Sequence, residues 1–313
     1  MSVGKGTPPW ERLNYIAVPA LVILFASLSV WLLATSPAPQ NPSAIDGVEK
    51  EFSLVLTLFH SAVAFAAVEL LIAVYSDPTP LVVHYKIVGR DDIPEVEHKF
   101  RSIGRWTTFT LWCNTIACLY FLVAALSDVL LFFESTPKAL LRAKAALWEI
   151  TFPMAFLVNL VVSFVLLPAC KKLKKLDKLE ILLRFRPQCL HNGYVLVAAL
   201  EGAIVAPAMK YENLPAIVLF GVTYIVFAVC LWLRCSVFHY FFLDPRFKFA
   251  IPAMVSLLLL LACLHCLGRW ALAAAAESTG AGVTLVIAAL ATCTFRDKAL
   301  DGYKPTVQSA AGG

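Results

Sequence analysis

Residues 106–133 read WTTFTLWCNTIACLYFLVAALSDVLLFF, with a single charged side chain, Asp128. As a helix rising about 1.5 Å per residue, a stretch of this length exceeds the roughly 30 Å hydrocarbon core of a bilayer. Runs of the same kind flank it on both sides, at 15–34 and 52–75 before it and at 148–170, 190–209, 215–243 and 247–272 after it. A shorter run at 280–293 closes the series. The 313 residues are 60% apolar and 15% charged, with a mean hydropathy of +0.77, whereas soluble domains carry about 25% charged residues. The expected fold is therefore all-α, a polytopic transmembrane helix bundle of about eight spans.

Between the runs, 35–51 is rich in Pro, Ser and Asn and reads as an exposed loop. A polar stretch after the second run holds Pro78, Pro80, the Gly89-Arg90-Asp91-Asp92 turn and Pro94, with room for a short strand at 81–88. The first run is longer than the apolar core of a signal peptide and reads as a retained anchor. With the N-terminus inside and eight crossings, 19 of the 26 basic residues fall on the inner face and six on the outer. That bias puts both termini inside and accounts for the net charge of +5 without nucleic acid. Of the nine cysteines, seven lie in apolar runs as small hydrophobes. Cys263, His265 and Cys266 lack a second pair at zinc spacing, so neither metal nor cofactor is expected.

Charged groups inside spans cost about 2.5–3.5 kcal/mol each and need a partner or a task. Glu149 and Asp128 lie near helix ends, where headgroups and water are expected to satisfy them. Glu69, Glu201 and Arg234 lie deeper. Glu201 and Arg234 fall at similar depth, which permits an ion pair in either a packing or a catalytic role.

The run at 106–133 carries a polar stripe, Thr107, Thr110 and Asn114, on one helix face. The run at 190–209 carries His191, Tyr194 and Glu201, with Ala198 between them. Both runs enter from the basic face, which places Thr110 and His191 near the same membrane surface. A hydroxyl within reach of a neutral imidazole is the minimum for an activated nucleophile. His239 is an alternative to His191, and Ser102, Thr107 and Thr108 are alternatives to Thr110. The plain reading of an intramembrane threonine is a hydrogen bond to its own i−4 carbonyl. His60 and His265 lie nearer the other face and read as packing or interfacial residues.

The stretch Gly104-Arg105-Trp106-Thr107-Thr108-Phe109-Thr110, with Asp128 at the end of the same helix, resembles the androgen-induced and androgen-dependent multi-pass proteins. These are threonine hydrolases of fatty-acid esters. Their Trp four residues before the nucleophile matches Trp106, and their catalytic His with a Glu ten residues on matches His191 and Glu201. Phe152-Pro153 and the stretch from Tyr224 to Phe242-Leu243-Asp244 are also similar. The family's Asn-His-Gly-x-x-His segment is not kept, since His191 is followed by Asn192-Gly193.

The resemblance implies a six-helix membrane core over 52–272, an added span within 1–51, and a marginal last span and polar tail over 273–313. It implies hydrolysis of fatty acid esters of hydroxy fatty acids or similar lipids, with Thr110 as nucleophile and His191 as base. Asn114, Glu201, Arg234 and Glu69 are supporting candidates. The implied partners are a lipid substrate and the bilayer of the endoplasmic reticulum or plasma membrane. A non-enzymatic membrane protein such as a transporter is the opposing reading.

Overall fold

The computed structural model describes residues 9–35, 54–85, 96–133 and 136–300. The 36–51 linker, the 89–92 turn and the tail beyond 300 lie outside the described residues. Among the described residues, six helices are long and apolar enough to cross a membrane: Leu13–Leu32, Leu54–Ser76, Phe109–Phe132, Lys138–Lys172, Tyr211–Cys235 and Ala250–Glu277. The chain is therefore a multi-pass helical membrane protein. The first two spans bury only 11% of their apolar window inside the protein, whereas the fourth buries 67%. Ile16, Leu24, Trp31, Val55 and Phe65 are more than half exposed, as side chains facing lipid should be.

The runs at 190–209 and 215–243 come out shorter than expected, and the last run stays short. The run at 190–209 opens with a π-helical turn, Cys189–Gly193, and continues as an α-helix only over Tyr194–Ile204. Ala206 then takes a left-handed conformation with φ 47°, just before Pro207, and the helix stops. The last run forms the 14-residue helix Thr279–Thr292. The run at 215–243 likewise ends at Cys235, because Ser236 closes the helix at φ 59° and its N–H bonds the Trp232 carbonyl. The expected strand is present as Leu81–Tyr85, paired antiparallel with Val96–Phe100.

The chain divides into two compact units. The first comprises Met1–Pro153 and Ala208–Trp270. In it the Pro9–Thr35 helix packs on Leu214–Cys235, and Leu54–Ser76 packs on Phe109–Phe132. Both pairs are antiparallel. Tyr15 meets Trp232, and the Asn14 amide donates to the carbonyls of Pro245 and Phe247 at 2.8 and 2.9 Å. Phe59 meets Phe121 edge-on at 6.3 Å between centroids, while at the opposite end Arg105 binds Asp77.

The second unit comprises Met154–Pro207 and Ala271–Gly313. Its helices Tyr194–Ile204 and Thr279–Thr292 pack together. Gly282 is the point of close approach: a Cβ there would lie 3.2 Å from the Ala203 carbonyl oxygen. A second π-helical turn, Val162–Leu166, interrupts the Lys138–Lys172 helix. Below it, Val162, Leu167 and Leu179 form a small apolar cluster.

Candidate functional site

The third span is entered through a short 3₁₀ helix, Ser102–Thr107, and Thr108 stays extended before the α-helix begins at Phe109. Arg105 ties this entry to the end of the second span. Its guanidinium donates to the carbonyls of Thr79 and Asp77 and lies 3.6 Å from the Asp77 carboxylate. Thr107 is thereby held just outside the span with its backbone fixed from a third side, since the Tyr224 hydroxyl donates to the Thr107 carbonyl at 3.0 Å.

His239 reaches Thr107 from the loop that follows Ser236. This loop is braced by Asp244, which is fully buried and accepts from the Arg246 backbone N–H at 2.8 Å and from its guanidinium at 2.9–3.2 Å. The Arg246 guanidinium also lies over Trp232, 5.3 Å from the ring centroid. So held, His239 Nε2 lies 2.5 Å from Thr107 Oγ1. The imidazole packs on Phe100 at 4.8 Å between centroids, and Phe100 packs on His98 at 4.4 Å. Burial against these rings, with some help from the nearby His98, lowers the His239 pKa to about 4. The ring is neutral at physiological pH, which is the form a base requires.

Thr107 Oγ1 also lies 2.8 Å from the Gly104 carbonyl oxygen. The hydroxyl has one proton for two acceptors. Donated to Gly104, it leaves His239 as a donor to Thr107; donated to Nε2, it makes His239 the acceptor and Thr107 the activated group.

One turn on, Thr110 lies beside Tyr240, whose phenol is pushed to higher pKa by burial, with hydrogen bonding to Thr110 opposing the shift. Asn114 is buried and donates to the Thr110 carbonyl at 2.8 Å. Phe109, Trp112 and Tyr224 pack around this turn, with centroids 4.8–5.3 Å apart. Thr115 shows the plain pattern expected of an intramembrane threonine, donating to Leu111 at 2.7 Å.

The other anticipated residues are dispersed. His191 and Glu201 belong to the second unit, and both are buried. His191 Nδ1 has no hydrogen-bond partner among the described residues. Arg234 belongs to the first unit, in the last turn of its helix and exposed, where a cation is favoured by the helix end. Glu69 is exposed.

Two acidic residues are satisfied differently from the expectation of headgroups and water. Asp128 is buried and accepts from His60 Nδ1 at 2.5 Å, with Lys144 Nζ 3.5 Å from its other oxygen. Glu149, also buried, is half-satisfied: Oε1 accepts from the Asn213 side chain at 2.8 Å and the Lys210 N–H at 3.2 Å, while Oε2 has no hydrogen-bond partner among the described residues. Antiparallel packing of neighbouring spans brings His60 to the depth of Asp128, so protein groups replace solvent. Comparison of the chain with family models, curated proteins and solved structures finds no match.

Proposed function

We propose that this protein is a membrane-embedded hydrolase of lipid esters, with a threonine nucleophile and a histidine base. The observation that carries this reading is the 2.5 Å contact between Thr107 Oγ1 and His239 Nε2 at the mouth of the third span. In the proposed reaction Oγ1 attacks the ester carbonyl and its proton passes to Nε2. The proton is then given to the departing alkoxide, leaving an acyl-threonine. Water, deprotonated by the same imidazole, cleaves the acyl group and restores the hydroxyl. A lipid ester suits a site at this depth, since its tails lie between spans while its carbonyl sits at the headgroup level.

The resemblance to the androgen-induced family supports the same chemistry through Thr110 and His191. Both pairings stay within the proposal, as does an arrangement of eight crossings in which 190–209 and 280–293 traverse as short helices. The test is labelling of purified protein with a serine/threonine-reactive probe, alongside hydrolysis of branched fatty-acid esters. Wild type is compared with Thr107→Ala, His239→Ala, Thr110→Ala and His191→Ala. Loss in the first two alone assigns the Thr107 pair, and loss in the last two alone assigns the Thr110 pair. Full activity in all four removes the hydrolase reading. A second reading, a non-enzymatic protein such as a transporter, draws on the buried polar side chains of the second unit.

A further inference from the structure

We infer that the second unit contains a site for a monovalent cation of the sodium class, built at Asn159 where two interrupted helices meet. This goes beyond the hydrolase reading and uses none of its residues.

The hydrogen-bond directions in this unit follow from one atom. The Thr294 carbonyl oxygen can only accept, and Asn192 Nδ2 lies 3.0 Å and Gln188 Nε2 3.1 Å from it. Both amides are thereby oriented. Asn192 Nδ2 gives its second proton to Gln188 Oε1, which leaves Asn192 Oδ1 to accept from Asn159 Nδ2 at 2.8 Å. Asn159 Nδ2 also lies 3.7 Å from Cys293 Sγ. Flipping any one amide would set two oxygens or two NH₂ groups face to face.

The chain of donors therefore ends on an acceptor, Asn159 Oδ1. Asn159 is fully buried, and this oxygen has no hydrogen-bond partner among the described residues. Ser163, one turn on in the same helix and itself buried, also has an unpartnered oxygen. A buried acceptor in this state is destabilising unless something donates to it or coordinates it.

The backbone supplies the rest. Asn159 stands 13 residues before Lys172, the end of its helix, which is about 20 Å and reaches the mid-depth of a bilayer. At that level the Thr279–Thr292 helix ends and the chain runs on without helix through Cys293–Asp297. It regains the surface where Asp297 pairs with Lys171 at 2.5 Å. Both neighbouring segments carry π-helical turns, Val162–Leu166 and Cys189–Gly193, a distortion that recurs at functional sites. Irregular backbone at membrane depth persists only where protein or a polar cavity satisfies it. The C-terminal end of a half-helix, with its negative dipole end, is a setting that takes Na⁺ in membrane proteins.

The donor atoms select the ligand. The amide protons of Asn159 and Asn192 are committed within the network, so an anion beside Asn159 finds no amide donor there. No carboxylate takes part in it, so the desolvation of a divalent ion goes uncompensated. A singly charged ion bound by neutral oxygens fits.

The test uses the full chain in detergent, with NaCl exchanged against choline chloride at constant ionic strength. Wild type is expected to gain a saturating rise in Tm of about 3–6 °C with Na⁺, and Asn159→Ala is expected to lose it. Binding of radioactive Na⁺ to wild type, competed by unlabelled Na⁺ and Li⁺, decides the matter if Asn159→Ala does not fold. Saturable, competed binding supports the site. Absence of both the Tm response and saturable binding overturns it, as does an unchanged response in a folded Asn159→Ala. Ester hydrolysis measured in choline chloride separates this outcome from the fate of the hydrolase reading.

Discussion

His60 Nδ1 and Asp128 Oδ2 lie 2.5 Å apart across the interface of the second and third spans, and Lys144 approaches the same carboxylate at 3.5 Å. His60 is 1% exposed and Asp128 8%. Removing one member of this buried pair leaves the other without its hydrogen-bond partner, a loss of about 1–3 kcal/mol. Asp128→Ala is therefore expected to lower the Tm in detergent by several degrees. His60→Leu with Asp128→Leu together should cost less than the two single losses summed, because no unpaired group is left behind. Strict additivity of the two in thermal melts would show that the contact carries no energy.

The Thr107 hydroxyl is shared between Gly104 and His239, whereas Thr110 is one turn deeper beside Tyr240. Thr107→Ser keeps a hydroxyl in place and is expected to retain labelling by a serine/threonine-reactive probe. Thr107→Ala should lower labelling by about 10²-fold or more, the scale of losing an activated nucleophile. Equal labelling of Thr107→Ala and wild type counts against Thr107.

His239 has a folded pKa of about 4, set first by burial, against about 6.5 in an unfolded chain. The unfolded chain binds the extra proton between these values, so stability rises with pH across that window. The contribution is complete above about pH 6.5, erodes as pH falls, and is gone below about 4. A His239→Gln variant should show a flatter dependence of Tm on pH from 6.5 to 4. Hydrolysis dependent on neutral His239 should keep its acid limb near 4; a limb near 6.5 points to another base.

Gly268 backs onto the ring of Phe152, which is 2% exposed, and a Cβ at Gly268 would come within 2.6 Å of it. A buried aromatic ring cannot yield as a flexible side chain does. Gly268→Ala is expected to cost about 1–3 kcal/mol, and Phe152→Leu should relieve part of that cost. Melting curves of the single and double variants check it.

The long apolar runs were legible because a membrane span is specified by length and hydropathy alone, without reference to neighbours. The strand Leu81–Tyr85 was legible, as part of the expected 81–88 stretch, from its bounding prolines and turn residues. Thr107 and His239 were legible only as alternatives: their positions followed from the ends of two runs, but not which hydroxyl faced which ring. That choice rests on Ser236, whose left-handed conformation turns His239 back toward the third span, and an L-residue at φ 59° leaves no mark in composition. The π-helical turns were hidden for a related reason, since an inserted residue shifts every later position around the helix while leaving hydropathy unchanged. The pairing of His60 with Asp128 required the antiparallel register of two spans, which no single run contains.

The Thr107–His239 bond also works as a parity check on the path of the chain. It ties the residue just before the third span to a residue just after Cys235, so both ends lie at one membrane surface. The third span carries the chain away from that surface, and Tyr211–Cys235 brings it back. Whatever lies between Phe132 and Tyr211 must therefore start and finish at the opposite surface, an even number of passages. Lys138–Lys172 supplies one. In the proposed eight-crossing arrangement the second is 190–209, although its unbroken α-helix is only 11 residues long. Single cysteines at Lys174 and Lys210 in a cysteine-free background should then react with impermeant maleimide from opposite sides of a sealed vesicle. Labelling from the same side would mean that the hydrogen bond, or the passage count, is wrong.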